Sequence, residues 1–284
     1  DAMHHSAARL RIRGGSRNIK AGRHSIPAGL SAWQVYDLLQ QSPPKEHIVL
    51  TIPEGKDMFE IAGELEELGL TDAETFLSIA SDATPVLGFA ADSTSLEGFL
   101  FPDTYHIPVD AEPHEIVEMM LRRTREVLTD NLRAAFQEIG LSLEQGIILA
   151  SLVAKEAGNE AEMPEIASVF HNRMERGMKL ECDPTFIYAA KLTGVWDGII
   201  HQSDIQRESP YNTYLHEGLP PGPIANPGAA ALWAVARPAK TDYLFFVAKS
   251  PDQREGHYFS ATYSEHQRNV AKYRRARRQA ANNN

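Results

Sequence analysis

Glu156 is the residue whose surroundings ask most plainly for chemistry. It ends an apolar run, three and four residues after Val153 and Leu152. On a helix it therefore shares a face with them and with Ile148 and Leu149. A carboxylate on such a face either finds a cation or has its pKa raised, because desolvation penalises the charged form. A raised pKa is what a general acid near neutral pH requires. The same spacing fits a helix-end carboxylate that reaches water or pairs with an arginine, and the spacing does not choose between them.

Polar and aromatic segments follow. Asp183 before Pro184 reads as an N-cap followed by proline at the first helical position. With Thr185 and Tyr188 it can also present a polar helix start to a sugar hydroxyl. Tyr211, Asn212, Thr213 and Tyr214 sit in the run Ser-Pro-Tyr-Asn-Thr-Tyr, and Asn226 ends the Pro- and Gly-rich run 218–226. Such loops suit carbohydrate. Aromatic faces stack on pyranose rings, Asn and Thr bond hydroxyls, and a stiff backbone loses little entropy on binding. They equally suit a rigid surface loop with Asn226 as N-cap before Pro227. Cys182, the single cysteine, reads as a small buried residue. The 11 histidines show no metal-ligand spacing, and no phosphate loop, nucleophile elbow or His-Glu-x-x-His is present. Nothing here asks for a metal or a cofactor.

These residues need elements to hold them. Ile48-Val49-Leu50-Thr51-Ile52 predicts a strand by its β-branched content, and Pro53-Glu54-Gly55 a turn. Met58, Ile61, Ala62, Leu65 and Leu68 predict a helix ending at Gly69. Thr71 and Glu74 have capping-box spacing for a second helix. One long amphipathic helix is predicted over 113–139, stopped by Gly140. Ser142 and Gln145 form another capping box, opening the helix that carries Glu156. Pro164 starts a helix over 164–176, and Asp183 and Asn226 each open one. Residues 243–248 and 257–260 predict a strand pair, and Ser264 with Gln267 caps a basic C-terminal helix. Helices followed by a strand pair predict an α+β fold rather than alternating βαβ units, with a boundary near residue 95.

The chain has 284 residues, 43% hydrophobic and 23% charged, which excludes a disordered chain, a fibre or a coiled-coil rod. No apolar run approaches the ~20 residues of a membrane span, and no signal peptide is evident. The formal net charge is −10, unevenly spread. Residues 1–23, which read as a loose segment, carry six basic groups. The last 19 residues carry six more and no acid. The body between them is strongly acidic, which argues against a broad nucleic-acid surface.

Several stretches together resemble the MltG (YceG-like) endolytic murein transglycosylases of bacteria. They are Glu-Gly-Phe-Leu-Phe-Pro-Asp-Thr-Tyr (97–105), Ala-Ser-Leu-Val-Ala-Lys-Glu (150–156), Ala-Ser-Val-Phe-His-Asn-Arg-Met (167–174), Asp183-Pro184-Thr185, and the two loop runs at 209–214 and 218–228. They occur in the family's order and, with Ile52-Pro53-Glu54-Gly55 upstream and residues 243–247 downstream, cover nearly the whole chain.

The resemblance implies an N-terminal region, 1–95, with a LysM-like subdomain at about 47–82, and a catalytic domain, 96–284. It implies cleavage of the MurNAc–GlcNAc bond within nascent glycan strands, leaving 1,6-anhydro ends. The catalytic glutamate falls on Glu156. Members often carry a second glutamate two positions earlier, where this chain has Ala154. Asp183, Thr185, Tyr188, Tyr211, Asn212, Thr213, Tyr214 and Asn226 become candidates for holding sugars. The implied partners are peptidoglycan strands and peptidoglycan synthases. The implied location is the bacterial cell envelope, extracytoplasmic (periplasmic), held by an inner-membrane anchor outside this sequence. Two alternatives stand beside this reading. One is a muramidase using Asp183, Glu160 or Glu181 as a second carboxylate. The other is a non-catalytic murein-binding or divisome scaffold gripping glycan through residues 47–80.

Overall fold

The computed structural model describes residues 19–21, 24–41, 46–251 and 255–282. The loose segment expected over 1–23 lies almost wholly outside these residues. The chain divides into two compact units. One comprises the described residues up to Ile48 together with His106–Asp110, and the other comprises Val49–Tyr105 and Ala111 onward. The first contains helix α1 (Ala32–Leu39), opened by a Ser31–Gln34 capping box. The second contains every candidate residue named above.

The fold is α+β, as expected. Its elements run β1 (His47–Thr51), α2 (Met58–Glu67), α3 (Ala73–Ala80), β2 (Thr104–Pro108), α4 (Pro113–Val127), α5 (Asp130–Glu138) and α6 (Leu143–Glu156). They continue with α7 (Met163–Glu175), α8 (Asp183–Leu192), α9 (Gln202–Ile205), α10 (Ala229–Ala236), β3 (Phe245–Ala248), β4 (His257–Ser260) and α11 (Tyr263–Asn282). Among the described residues the strands form two sheets, β1 with β2 and β3 with β4. The second is antiparallel, with Phe245 opposite Ser260 and Ala248 opposite His257.

Several local expectations shift. The helix expected over 113–139 is two helices, because Leu128 leaves helical geometry and Thr129 caps α5 through its hydroxyl. Strand β2 lies in a stretch that showed only aromatic and turn residues. The cap of α3 is Asp72, whose carboxylate accepts from Thr75 N–H, rather than Thr71. Thr262 and Glu265, not Ser264 and Gln267, exchange capping bonds at the start of α11.

Helix α6 is the centre of the second unit. Every residue from Gly146 to Val153 is buried, as expected of a helix surrounded on all sides. It packs against α5, α7, α8 and α10. The turn after β1 locks its C-terminal end. Gly55 has φ +83, and a Cβ there would stand 3.0 Å from the Ala154 carbonyl oxygen, so glycine alone fits both the backbone and the approach. Glu54 accepts from Gly228 N–H at 2.9 Å, placing an acid at the start of α10, where the helix dipole favours it. Beyond α6, the buried Glu162 accepts from Gly158 N–H and from His257 N–H, tying the turn after Glu156 to β4.

Candidate active site

The last residue of α6 opens into a cavity of about 310 Å³. Glu156, Asp183 and Tyr214 line it, with Arg173, Glu181 and the strand β3 opposite. Helix α6 carries Glu156 on the apolar face that the sequence showed. Its carboxyl group is pushed up to about 7. Burial is the main cause. The Cys182 thiol, which donates to Oε1 at 3.1 Å, pulls the other way, and the negative charge of Asp183 adds to the rise. Among the described residues no ion pair reaches Glu156. Arg173, the cation in the cavity wall, is already committed. Its Nη1 donates to Glu181 Oε2 at 2.9 Å and to the Lys179 and Leu180 carbonyls, and its Nε to the Leu244 carbonyl at 2.7 Å. It also lies 5.2 Å from the centroid of the Phe245 ring. The choice left open by the helix pattern falls on a desolvated, protonatable acid.

The loop carrying Glu181, Cys182 and Asp183 is strained and tightly held. Glu181 has φ +52, the single non-glycine with positive φ among the described residues, a conformation tolerated only where neighbours over-determine it. Its N–H donates to the Thr213 carbonyl. Cys182 N–H donates to Thr213 Oγ1 at 3.0 Å, and Thr185 Oγ1 donates to the Cys182 carbonyl at 2.6 Å. Thr185, Asn212 and Thr213 are buried. Asn212 Nδ2 donates to the Ile205 and Arg207 carbonyls, and its Oδ1 accepts from Tyr214 N–H. These three build the loop; the groups that face the cavity are Asp183 and Tyr214, whose hydroxyl donates to Asp183 Oδ1 at 2.5 Å.

Two sequence expectations are corrected here. Asp183 is the first residue of α8 rather than its cap. Cys182 holds the cap position, which frees the Asp183 carboxylate for Tyr214. Asn226 is not the cap of α10 either; Gly228 is. Asn226 is fully buried. Its Oδ1 accepts from Leu100 N–H at 2.9 Å, and its Nδ2 donates to the Lys56 carbonyl and to Glu97 Oε1.

The remaining two candidates lie away from Glu156. Tyr188 is buried, with its ring 5.3 Å from that of Tyr211 and its hydroxyl bonded with Glu97. Tyr211 lines a second cavity at the other end of α6. Beneath Tyr188, Glu97 is pushed up to about 8, first by burial and then by the charge of Asp57, against the pull of a bond from Met58 N–H. A carboxyl whose folded pKa exceeds its unfolded value binds a proton on folding. Its contribution is full below the unfolded pKa, near 4.5, and declines as pH rises to about 8. Glu97→Gln should therefore flatten the loss of thermal stability between these limits, measured as Tm against pH beside the parent.

The YceG-like family model matches residues 2–272. The chain belongs to the YceG-like family. A YceG-like protein of Listeria monocytogenes, solved by crystallography, matches with a TM-score of 0.68 at 28% identity, over 93% of this chain and 89% of that one. A Bacillus subtilis protein named endolytic murein transglycosylase is 30% identical over 274 residues, 91% of this chain and 74% of its own length. A Streptococcus pneumoniae protein of the same name is 31% identical over 287 residues, 90% of this chain. The chain spans about half (51%) of that relative's length.

Sequence reasoning passed over several cavity residues of this YceG-like chain. Arg173 carried a usable signal, a cation among the buried apolar residues of α7, the same anomaly that marks Glu156. His266, stacked on Phe245 with ring centroids 5.1 Å apart, and Tyr273 carried none. They reach the cavity from α11 only because that helix packs on β3.

Proposed function

We propose that this YceG-like chain is an endolytic peptidoglycan lytic transglycosylase with Glu156 as its sole proton-transfer group. The supporting observation is a carboxyl group pushed up to about 7, with no ion pair to it among the described residues, in the wall of an open cavity. Protonated Glu156 gives its proton to the oxygen of the leaving GlcNAc as the MurNAc carbon C1 develops oxocarbenium character. The Glu156 carboxylate then takes the proton of the same MurNAc's C6 hydroxyl, whose oxygen bonds to C1. The C1–O bond to GlcNAc breaks, a 1,6-anhydro ring forms, and no water is consumed. Because the nucleophile belongs to the substrate, proximity supplies part of the rate, and one carboxylate suffices where hydrolysis needs two. Asp183 and Tyr214 orient the sugar and tune Glu156. Thr185, Asn212 and Thr213 hold the loop that carries them. Residues 47–82 form a LysM-like glycan grip within a 1–95 region ahead of the 96–284 catalytic domain. The enzyme works in the cell envelope, membrane-anchored beside peptidoglycan synthases. Among the described residues no helix is long and apolar enough to cross a membrane.

Mass spectrometry of digested, uncrosslinked strands tests this. Internal cuts should leave anhydro ends, one water lighter than hydrolytic ends. A two-carboxylate muramidase is the second reading, favoured by the presence of Asp183 and Glu181 in the same cavity; Glu160 does not line it. Hydrated ends would establish that reading in place of the first.

The rate should also depend on pH in a set direction. Since Glu156 must begin protonated, kcat/KM should fall as pH rises through about 7. Asp183→Asn removes a negative charge that raises the Glu156 pKa, so this limb should move to lower pH. A limb that stays in place in Asp183→Asn would detach Asp183 from Glu156.

A further inference from the structure

The cavity holding Tyr211 is as large as the one holding Glu156, at about 330 Å³. It sits at the N-terminal end of α6, where Gln145 and Ile148 line it. At 1.5 Å rise per residue these lie about 12–17 Å along the helix from Glu156. The two cavities share one loop, since Tyr214 faces the first and Tyr211, three residues earlier, faces the second. Tyr211 is set deliberately. Its hydroxyl is bonded with the Thr94 side chain, and a Cβ on Gly222 would stand 2.9 Å from that oxygen. The opposite wall carries Ser93, Thr94 and Ser95. Gln145 and Ile148 also border a neighbouring recess lined by Met174, Met178 and Leu219.

We propose that this cavity is a distal saccharide subsite for neutral N-acetylhexosamine units of the strand that Glu156 cuts, an inference that rests on the transglycosylase reading. An aromatic ring flanked by hydroxyls and an amide is the chemistry that recognises a pyranose. The apolar recess beside it accepts acetamido methyl groups. The described residues lining the Tyr211 cavity include the acids Asp92 and Glu144 and no lysine or arginine, so it suits the N-acetylglucosamine units of the strand, which bear no carboxylate. A strand that must fill both cavities is held on one side of the scissile bond well beyond it, which favours long strands and internal cuts.

The test uses the Glu156→Gln protein and β-1,4-linked N-acetylglucosamine oligomers, with binding followed by titration calorimetry and hydrogen exchange. Exchange should slow at 92–95 and at Gly222, the one amide N–H between Pro221 and Pro223. Thr94→Trp and Gln145→Trp fill the cavity from opposite walls at exposed positions. Each should weaken binding about tenfold, the order of losing one contact cluster, and abolish that protection. Absent protection at 92–95, or unchanged affinity in both tryptophan variants with parental melting, overturns the proposal. A second arm digests long strands and short fragments with active protein. Thr94→Trp should shrink the preference for long strands. If the parent leaves internal anhydro ends and Thr94→Trp gives the same length profile, the subsite fails and the transglycosylase reading stands. If the parent cuts nothing while oligomers still protect 92–95, the subsite stands and that reading fails.

Discussion

Replacing Glu156 by glutamine should lower the cleavage rate by about 10²–10⁴-fold, the usual worth of a positioned acid and base. The fold should survive. Glutamine matches glutamate in shape, and its Oε1 can still accept from the Cys182 thiol that now donates to Glu156. Stability should rise at alkaline pH, because the parent must then hold an ionised carboxylate at a half-buried, poorly solvated site. Binding should change little, since the other residues lining the cavity, Tyr214 and strand β3 among them, are unaltered. Rates of anhydro-end formation and Tm, measured on both proteins at pH 6 and pH 9, separate these effects. Near-parental cleavage by Glu156→Gln would overturn the single-carboxylate mechanism and direct attention to Asp183 and Glu181. Unaltered glycan binding with no cleavage by either protein would favour the scaffold alternative.

Glu156 was legible because its signal is local. Four residues of one helix face state that a carboxylate is being buried, and burial alone is the largest cause of its raised pKa. The helix start before Gln145 was legible for the same reason, since a capping box is complete within four residues. Asp183 was misread by one position. The Asp-Pro pair fits two registers at a helix start, and only the strained Glu181 and the bonds that the Glu181 and Cys182 N–H groups donate to Thr213 decide that Cys182 takes the cap. The partition of the loop residues was not legible at all. Tyr211 and Tyr214 look equivalent in sequence, yet they face cavities at opposite ends of α6. Asn226 shows the limit most clearly. Its three side-chain partners are 126, 129 and 170 residues away, and no spacing rule reaches that far.

Asn226→Leu should therefore destabilise the protein strongly rather than weaken its grip on substrate. Leucine has similar volume but makes none of the three bonds. Leu100 N–H and Glu97 Oε1 would lose this partner in a buried site, while the Lys56 carbonyl would keep the backbone N–H of residue 226. An unsatisfied buried group costs about 1–3 kcal/mol, so a loss of about 2–4 kcal/mol is expected from the two groups, allowing for partial relaxation. For a chain of this size that lowers Tm by roughly 10 °C. The damage should be spread across the segments Asn226 joins. Its own N–H and carbonyl bond Lys56 and Gly55, and Gly55 packs on the Ala154 carbonyl at the end of the Glu156 helix. Loosening this junction should lower kcat by letting Glu156 drift, with KM nearly constant at temperatures where the variant remains folded. A raised KM with parental Tm would be the signature of a sugar-binding asparagine, and would return Asn226 to the substrate-contact role that its sequence suggests.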